Sequence, residues 1–220
     1  MRPSPHRQPE DENCLEWVAL GYVALDLSKT STGWSAWAEG WERPRYGRWV
    51  LGSAWTSRGG VFAKLHQNMT ELHHVICPIE FLFAEEPISP AQLQGNTTID
   101  TLRLASGLSA HTESWAHAMG VRRFQEFNVS TWRPAFIGRI ADSEAKAKAR
   151  RAKKAGNLKA SARDTLKELT MARCRQLGLA PRFNDEADAV GILTHGLLVS
   201  GITPPWLSNE TLLEPLEIPA

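Results

Sequence analysis

Residues 81 to 84, Phe-Leu-Phe-Ala, are apolar at every position, and the run ends at Glu85. Side chains alternate between the two faces of a strand, so a strand apolar on both faces belongs in the middle of a sheet with layers packed on each side. A second apolar run, Val18 to Leu25, ends the same way at Asp26. The covering layers are also legible. Val61, Phe62, Leu65, Met69, Leu72 and Ile76 recur at helical spacing and mark a helix over 60–77, stopped by Pro78. Ile99, Leu102, Ala105, Leu108, Trp115 and Met119 mark another over 96–119, ended by Gly120. Strands are expected at 17–27, 34–38, 46–54, 80–85 and 122–129, the first three as antiparallel neighbours joined by short turns. A charged helical stretch covers 141–176, and a last helix starts near Asn184 or Asp185 and runs to Ser200. The pattern is mixed α/β.

At 220 residues the chain suits one substantial domain. The domain is expected over 15–202, with a disordered tail at 1–14 and a C-terminal tail at 203–220 that is a wrap or disordered. A net charge of +1 excludes a global basic field. The three cysteines, Cys14, Cys77 and Cys174, form no CxxC pair, which argues against a structural zinc site or a disulfide framework and for a reducing, cytoplasmic compartment. The N-terminus has no signal-peptide core, and no apolar run approaches the ~20 residues of a membrane span. Five of the nine tryptophans lie between residues 34 and 55, where packing on a twisted sheet is the expected role.

A carboxylate that finishes a buried strand is costly unless something compensates its charge. Where several converge, a divalent cation is the usual compensation. Asp26 and the Glu85-Glu86 pair stand at strand ends, and Asp185 and Asp188 share one face of a helix at i and i+3. Each has a purely structural alternative. Asp26 can accept bonds from the turn Ser28 to Thr32. Asn184 or Asp185 can cap the last helix. Alternation does not choose between Glu85 and Glu86, because both faces of that strand are buried. Together the acids point to a metal-dependent hydrolase.

Four pieces carry a family resemblance: Ala24-Leu25-Asp26-Leu27-Ser28 with Thr32-Gly33, then Leu82-Phe83-Ala84-Glu85-Glu86-Pro87, then Trp132-Arg133-Pro134-Ala135-Phe136-Ile137-Gly138, then Asn184-Asp185-Glu186-Ala187-Asp188-Ala189. In this order they resemble the RuvC-type Holliday junction resolvases, particularly the divergent forms carried by bacteriophages. The resemblance implies a ribonuclease H-like fold with a mixed five-stranded sheet flanked by helices. It implies Asp26, Glu85, Asp185 and Asp188 as catalytic metal ligands, and it selects Glu85 over Glu86. It further implies two Mg²⁺ ions, with Mn²⁺ as a substitute, about 3.5–4 Å apart, and products with 5′ phosphate and 3′ hydroxyl ends. The implied partner is branched DNA cut by a homodimer, in a bacterial or phage-infected cell, for recombination or for debranching DNA before packaging. An all-oxygen ligand set suits magnesium better than zinc. The chain departs from the family in its N-terminal tail and in a basic insertion over 139–167, where ten Lys or Arg stand against three Asp or Glu.

That segment reads either as a clamp on the DNA backbone or as a solvated helix face. Lys154, Lys159 and Arg163 are its candidate DNA contacts, and Arg133 either touches phosphate or braces the core. His73-His74 lacks the second half of a metal site, and His195 is read as a packed helix residue. Other functions on the same core are an actin-like ATPase, a non-catalytic nucleic-acid scaffold and a nuclease of RNA–DNA hybrids. The ATPase needs a second domain for which 220 residues leave no room. The scaffold leaves mutually repelling acids without a use.

Overall fold

A computed structural model of the chain describes residues 19–87, 98–157, 160–207 and 216. In chain order the elements are β1 (Gly21–Asp26), β2 (Thr32–Ala38), β3 (Arg45–Trp49), α1 (Arg58–His73), β4 (Ile79–Glu85), α2 (Ile99–Ala118), β5 (Arg123–Phe127), α3 (Val129–Ile137), α4 (Arg139–Lys154), α5 (Arg163–Gln176) and α6 (Asn184–Val199). The sheet runs β3-β2-β1-β4-β5. β1, β2 and β3 are antiparallel, whereas β4 lies parallel to β1 and β5 parallel to β4. This is the ribonuclease H-like arrangement, a mixed five-stranded sheet flanked by helices.

Both faces of β1 and β4 are buried, as their composition requires. Val23, Leu25 and Leu82 pack with Val61, Leu65 and Met69 of α1 and with Leu108 and Trp115 of α2. Tyr22, Ala24 and Phe83 pack with Trp132 and Phe136 of α3, Leu169 of α5 and Val190, Leu193 and Leu197 of α6. Alternation then settles where the strand-end acids point. Asp26 continues the face of Tyr22 and Ala24, and Glu85 continues that of Phe81 and Phe83. Both carboxylates therefore project toward α6. The helix approaches the sheet closely because Gly196 carries no side chain: a Cβ there would fall 2.6 Å from the Phe83 ring.

The third strand is shorter than its sequence implies, ending at Trp49 rather than 54. Beyond it the backbone folds back, and Leu51 and Gly52 both donate N–H bonds to the Lys29 carbonyl. The charged stretch divides into two helices: α4 buries only Ala141, Asp142 and Ala145, while α5 buries Leu166, Leu169, Thr170, Arg173 and Cys174 in the core. The described part of the C-terminal tail is a wrap. Pro204, Trp206, Leu207 and Leu216 are buried, and Trp206 Nε1 donates to Thr194 Oγ1 at 3.1 Å. The N-terminal tail lies outside the described residues.

Candidate active site

Asp26 is the last residue of β1 and pairs in register with Gly33 on β2. The connecting turn satisfies itself. Ser28 N–H donates to Thr32 Oγ1 at 3.1 Å, Thr32 Oγ1 donates to the Ser28 carbonyl at 2.5 Å, and Ser31 N–H donates to Ser28 Oγ at 3.1 Å. Because the turn uses its own hydroxyls, the structural role open to Asp26 is already filled. Opposite it, Gly33 admits the first turn of α6. A Cβ on Gly33 would lie 1.9 Å from the Asp185 carbonyl oxygen, so only glycine allows this approach. Ser31 Oγ donates to Asp185 Oδ2, which fixes that carboxylate over the end of β1.

The capping role considered for Asn184 or Asp185 is performed by another residue. Phe183 occupies the cap position, and Glu186 Oε2 accepts from the backbone N–H of Arg182 at 2.7 Å and of Phe183 at 3.3 Å. Asp185 is left available for the site. Glu186→Ala is accordingly expected to destabilise the fold by about 1–2 kcal/mol, whereas Asp185→Asn is not. Urea denaturation of the two variants checks this.

One turn further along α6, Asp188 is buried. Its Oδ2 accepts from Arg133 Nη2 at 3.1 Å, but its Oδ1 is buried without a partner, as is Arg133 Nε. Arg133 comes from α3, where its guanidinium lies over the Trp132 ring, 4.6 Å from the centroid. Trp132 Nε1 in turn donates to Glu85 Oε2 at 3.0 Å. Glu86 is exposed and accepts from Asn128 Nδ2, so the two neighbouring glutamates are separated as the strand alternation requires.

These four acids feel one another. Asp26 has its pKa raised well above the ordinary carboxylate range by burial, then by the charges of Asp188, Glu85 and Asp185, with Arg133 opposing. Burial also raises Glu85, against Arg133, the Trp132 hydrogen bond and Lys167 of α5. Asp188 is raised by burial too, with Arg133 and Lys167 opposing and Asp185 adding to the rise. Among the described residues positive charge is short: Asp26, Glu85 and Asp188 feel Arg133, and Glu85 and Asp188 also feel Lys167. Among the described residues no three His, Cys, Asp or Glu side chains converge tightly enough to hold an ion as they stand. Glu85, Asp185 and Asp188 each rest on a donor of their own: Trp132, Ser31 and Arg133. The donor set still fits a hard divalent cation, being all oxygen with one buried lone-pair position unfilled.

Sequence reasoning about the acids thus corresponds to one cluster, but the cluster's supports were not legible. Ser31, Trp132, Lys167 and Glu186 carry no signal by type or spacing, apart from the location of Trp132 and Glu186 inside matching motifs. Arg133, read as a phosphate contact or a core brace, pairs with Asp188. Lys154, at the end of α4, and Arg163, at the start of α5, are exposed. Lys159 lies outside the described residues. His195 packs edge-on against Phe127, with ring centroids 4.8 Å apart, and burial lowers its pKa. His73 packs edge-on against Trp115, and among the described residues no group of three His, Cys, Asp or Glu side chains that could hold a metal ion forms around it and His74.

No family model matches the chain, and no curated protein matches it. Among solved structures it is similar to T. thermophilus RuvC, determined in complex with a Holliday junction substrate, at 15% sequence identity and a TM-score of 0.52. The match covers 82% of this chain and 95% of that one. At that identity the likeness shows a shared fold, the RuvC-like form of the ribonuclease H-like sheet.

Proposed function

We propose that the chain is a divalent-metal-dependent endonuclease of branched DNA, with Asp26, Glu85, Asp185 and Asp188 as the metal ligands. The observation that carries this reading is the gathering of four carboxylates from β1, β4 and α6 at one end of the sheet, with too little positive charge among the described residues to balance them. Mg²⁺ or Mn²⁺ matches the donor set, and a pair of such ions would supply an activated water and charge stabilisation at phosphorus. The chain's own contribution is placement. Ser31 orients Asp185, Trp132 orients Glu85, and Arg133 holds Asp188 until a cation competes for it.

Branched DNA as substrate is supported by the fold likeness to a protein solved on a Holliday junction and by the order of the four motifs. A homodimer cutting two strands is what the resemblance of the four motifs to the RuvC-type resolvases implies, and a sedimentation measurement checks it. The substrate test is cleavage of labelled four-way junction, flap, linear duplex and RNA–DNA hybrid in Mg²⁺. Paired nicks in the junction are expected. Cutting of the hybrid alone would replace branched DNA as the substrate, and binding without any cutting would make the protein a scaffold.

A stability measurement reads the site without substrate. A carboxylate whose pKa is raised on folding adds stability below its unfolded pKa, and that stability is lost as pH rises through the folded value. For Asp26, Glu85 and Asp188 the metal-free protein is therefore expected to lose stability as pH rises above the ordinary carboxylate range and through their raised folded values. A cation at ~100 times its Kd restores about 2.7 kcal/mol, or roughly 5–10 °C for a domain of this size. The gain in Tm is expected to be larger at pH 8 than at pH 5, and no gain at either pH would remove the metal from the reading.

A further inference from the structure

We propose that Trp55 is a nucleobase-stacking contact that engages base faces left open at a branch point beside the cleavage site. The inference rests on the nucleic-acid reading above. Trp55 is 95% exposed, whereas the other described tryptophans pack against the protein. Trp34 stacks on Trp49, Trp37 on Tyr22, and Trp41 lies under Arg45. Singly exposed apolar residues are ordinary on protein surfaces, but this one is held on a loop that is hydrogen-bonded within itself. Thr56 N–H donates to the Ser53 carbonyl at 3.1 Å, Ser53 N–H donates to Thr56 Oγ1 at 2.9 Å, and Trp55 N–H donates to Ser53 Oγ at 3.3 Å. A hydrogen-bonded loop that presents a bare indole has already met the backbone part of the ordering cost of binding.

The loop is also fastened to the catalytic end of the sheet. Leu51 and Gly52 donate to the Lys29 carbonyl at 3.0 and 3.1 Å, and Lys29 Nζ donates to the Thr56 carbonyl at 3.0 Å. Lys29 is in the turn that leaves β1 after Asp26. β3 ends at that same edge, since Thr32 pairs with Trp49 as Gly33 pairs with Arg48.

Charge selects the occupant. Residues 50 to 60 contain no Asp or Glu, the Lys29 ammonium is bound to the loop at the Thr56 carbonyl, Arg58 opens α1 three residues after Trp55, and the first turn of α1 carries no acid at its positive end. A phosphodiester strand meets favourable charge there, and any base has a face for the ring to stack on. An apolar ligand or a second copy of the chain would make no use of the cations.

The test is the affinity of the full-length protein for a labelled four-way junction and for linear duplex, in Ca²⁺ at fixed salt. Wild type is compared with Trp55→Ala and Trp55→Phe. A 2-aminopurine placed at the branch reports stacking directly. Trp55→Ala is expected to weaken junction binding roughly 5- to 100-fold and to abolish 2-aminopurine quenching, with Tm unchanged. Trp55→Phe should stay near wild type. Junction affinity of Trp55→Ala within twofold of wild type overturns the proposal. So does conversion of a dimer to a monomer with DNA affinity intact, which assigns the indole to a contact between copies. If wild type binds no nucleic acid at all, the nuclease reading itself fails and this inference fails with it.

Discussion

Asp26→Asn is expected to lower cleavage of branched DNA by about 10³-fold or more while the protein remains folded and still binds its substrate. Among the four acids, Asp26 is the one whose ionisation the other three all oppose. Asparagine keeps the shape and removes the charge, so the metal-holding capacity falls with little change in packing. The same substitution removes a repelling, poorly solvated charge from the metal-free state. Without divalent cation at pH 8, the variant is therefore expected to melt higher than wild type, by roughly 2–5 °C. Loss of activity together with gain of apo stability is a pairing that a merely structural strand-end aspartate would not give. Activity and Tm measured on one preparation check both halves, and an asparagine variant that is active, or less stable without metal, contradicts the assignment.

The second large effect is expected at Gly33. Its missing side chain is what lets α6 deliver Asp185 to Asp26, because a Cβ there would press on the Asp185 backbone carbonyl at 1.9 Å. Neither partner can yield by a side-chain rotation. Gly33→Ala must push the start of α6 away from β2, at a cost of about 1–3 kcal/mol in overpacking. A shift of about 1 Å at a catalytic group can lower the rate on the order of 10²-fold. The expected result is a folded protein with reduced Tm, strongly reduced cleavage and weakened Mn²⁺ binding. Urea denaturation alongside steady-state kinetics separates the two losses. A variant with wild-type rate would show that the approach of α6 to β2 does not set the site.

The parts of this site visible in the sequence are those whose chemistry is local. An apolar run that ends in Asp26 or in Glu85 declares both a central strand and a charge needing compensation. The i, i+3 spacing of Asp185 and Asp188 declares a shared helix face. What escaped depends on which elements meet. Glu85 and Glu86 are indistinguishable until α6 is known to pack on the Phe81 and Phe83 face. Arg133 is 55 residues from Asp188, so nothing in either segment announces their ion pair. The residue types around the start of α6 suggest Asn184 or Asp185 as its cap, but Glu186 reaches back to the Arg182 and Phe183 N–H groups and leaves Asp185 free of that role. The third strand looks longer than it is because Val50 and Leu51 continue its apolar pattern, while the hydrogen bonds of Leu51 and Gly52 to Lys29 draw the chain off the sheet. Five clustered tryptophans read correctly as packing for the four that pack, and a composition count could not single out the exposed fifth.

The most direct measurement is incision of an end-labelled four-way junction by wild-type protein, in Mg²⁺ and in chelator, at equal protein concentration. With Asp26, Glu85, Asp185 and Asp188 serving as metal ligands, nicks bearing 5′ phosphates appear in Mg²⁺ and vanish in chelator. Incision that persists in chelator, or folded protein that binds Mg²⁺ yet cuts no nucleic acid, would contradict the role given to these four acids.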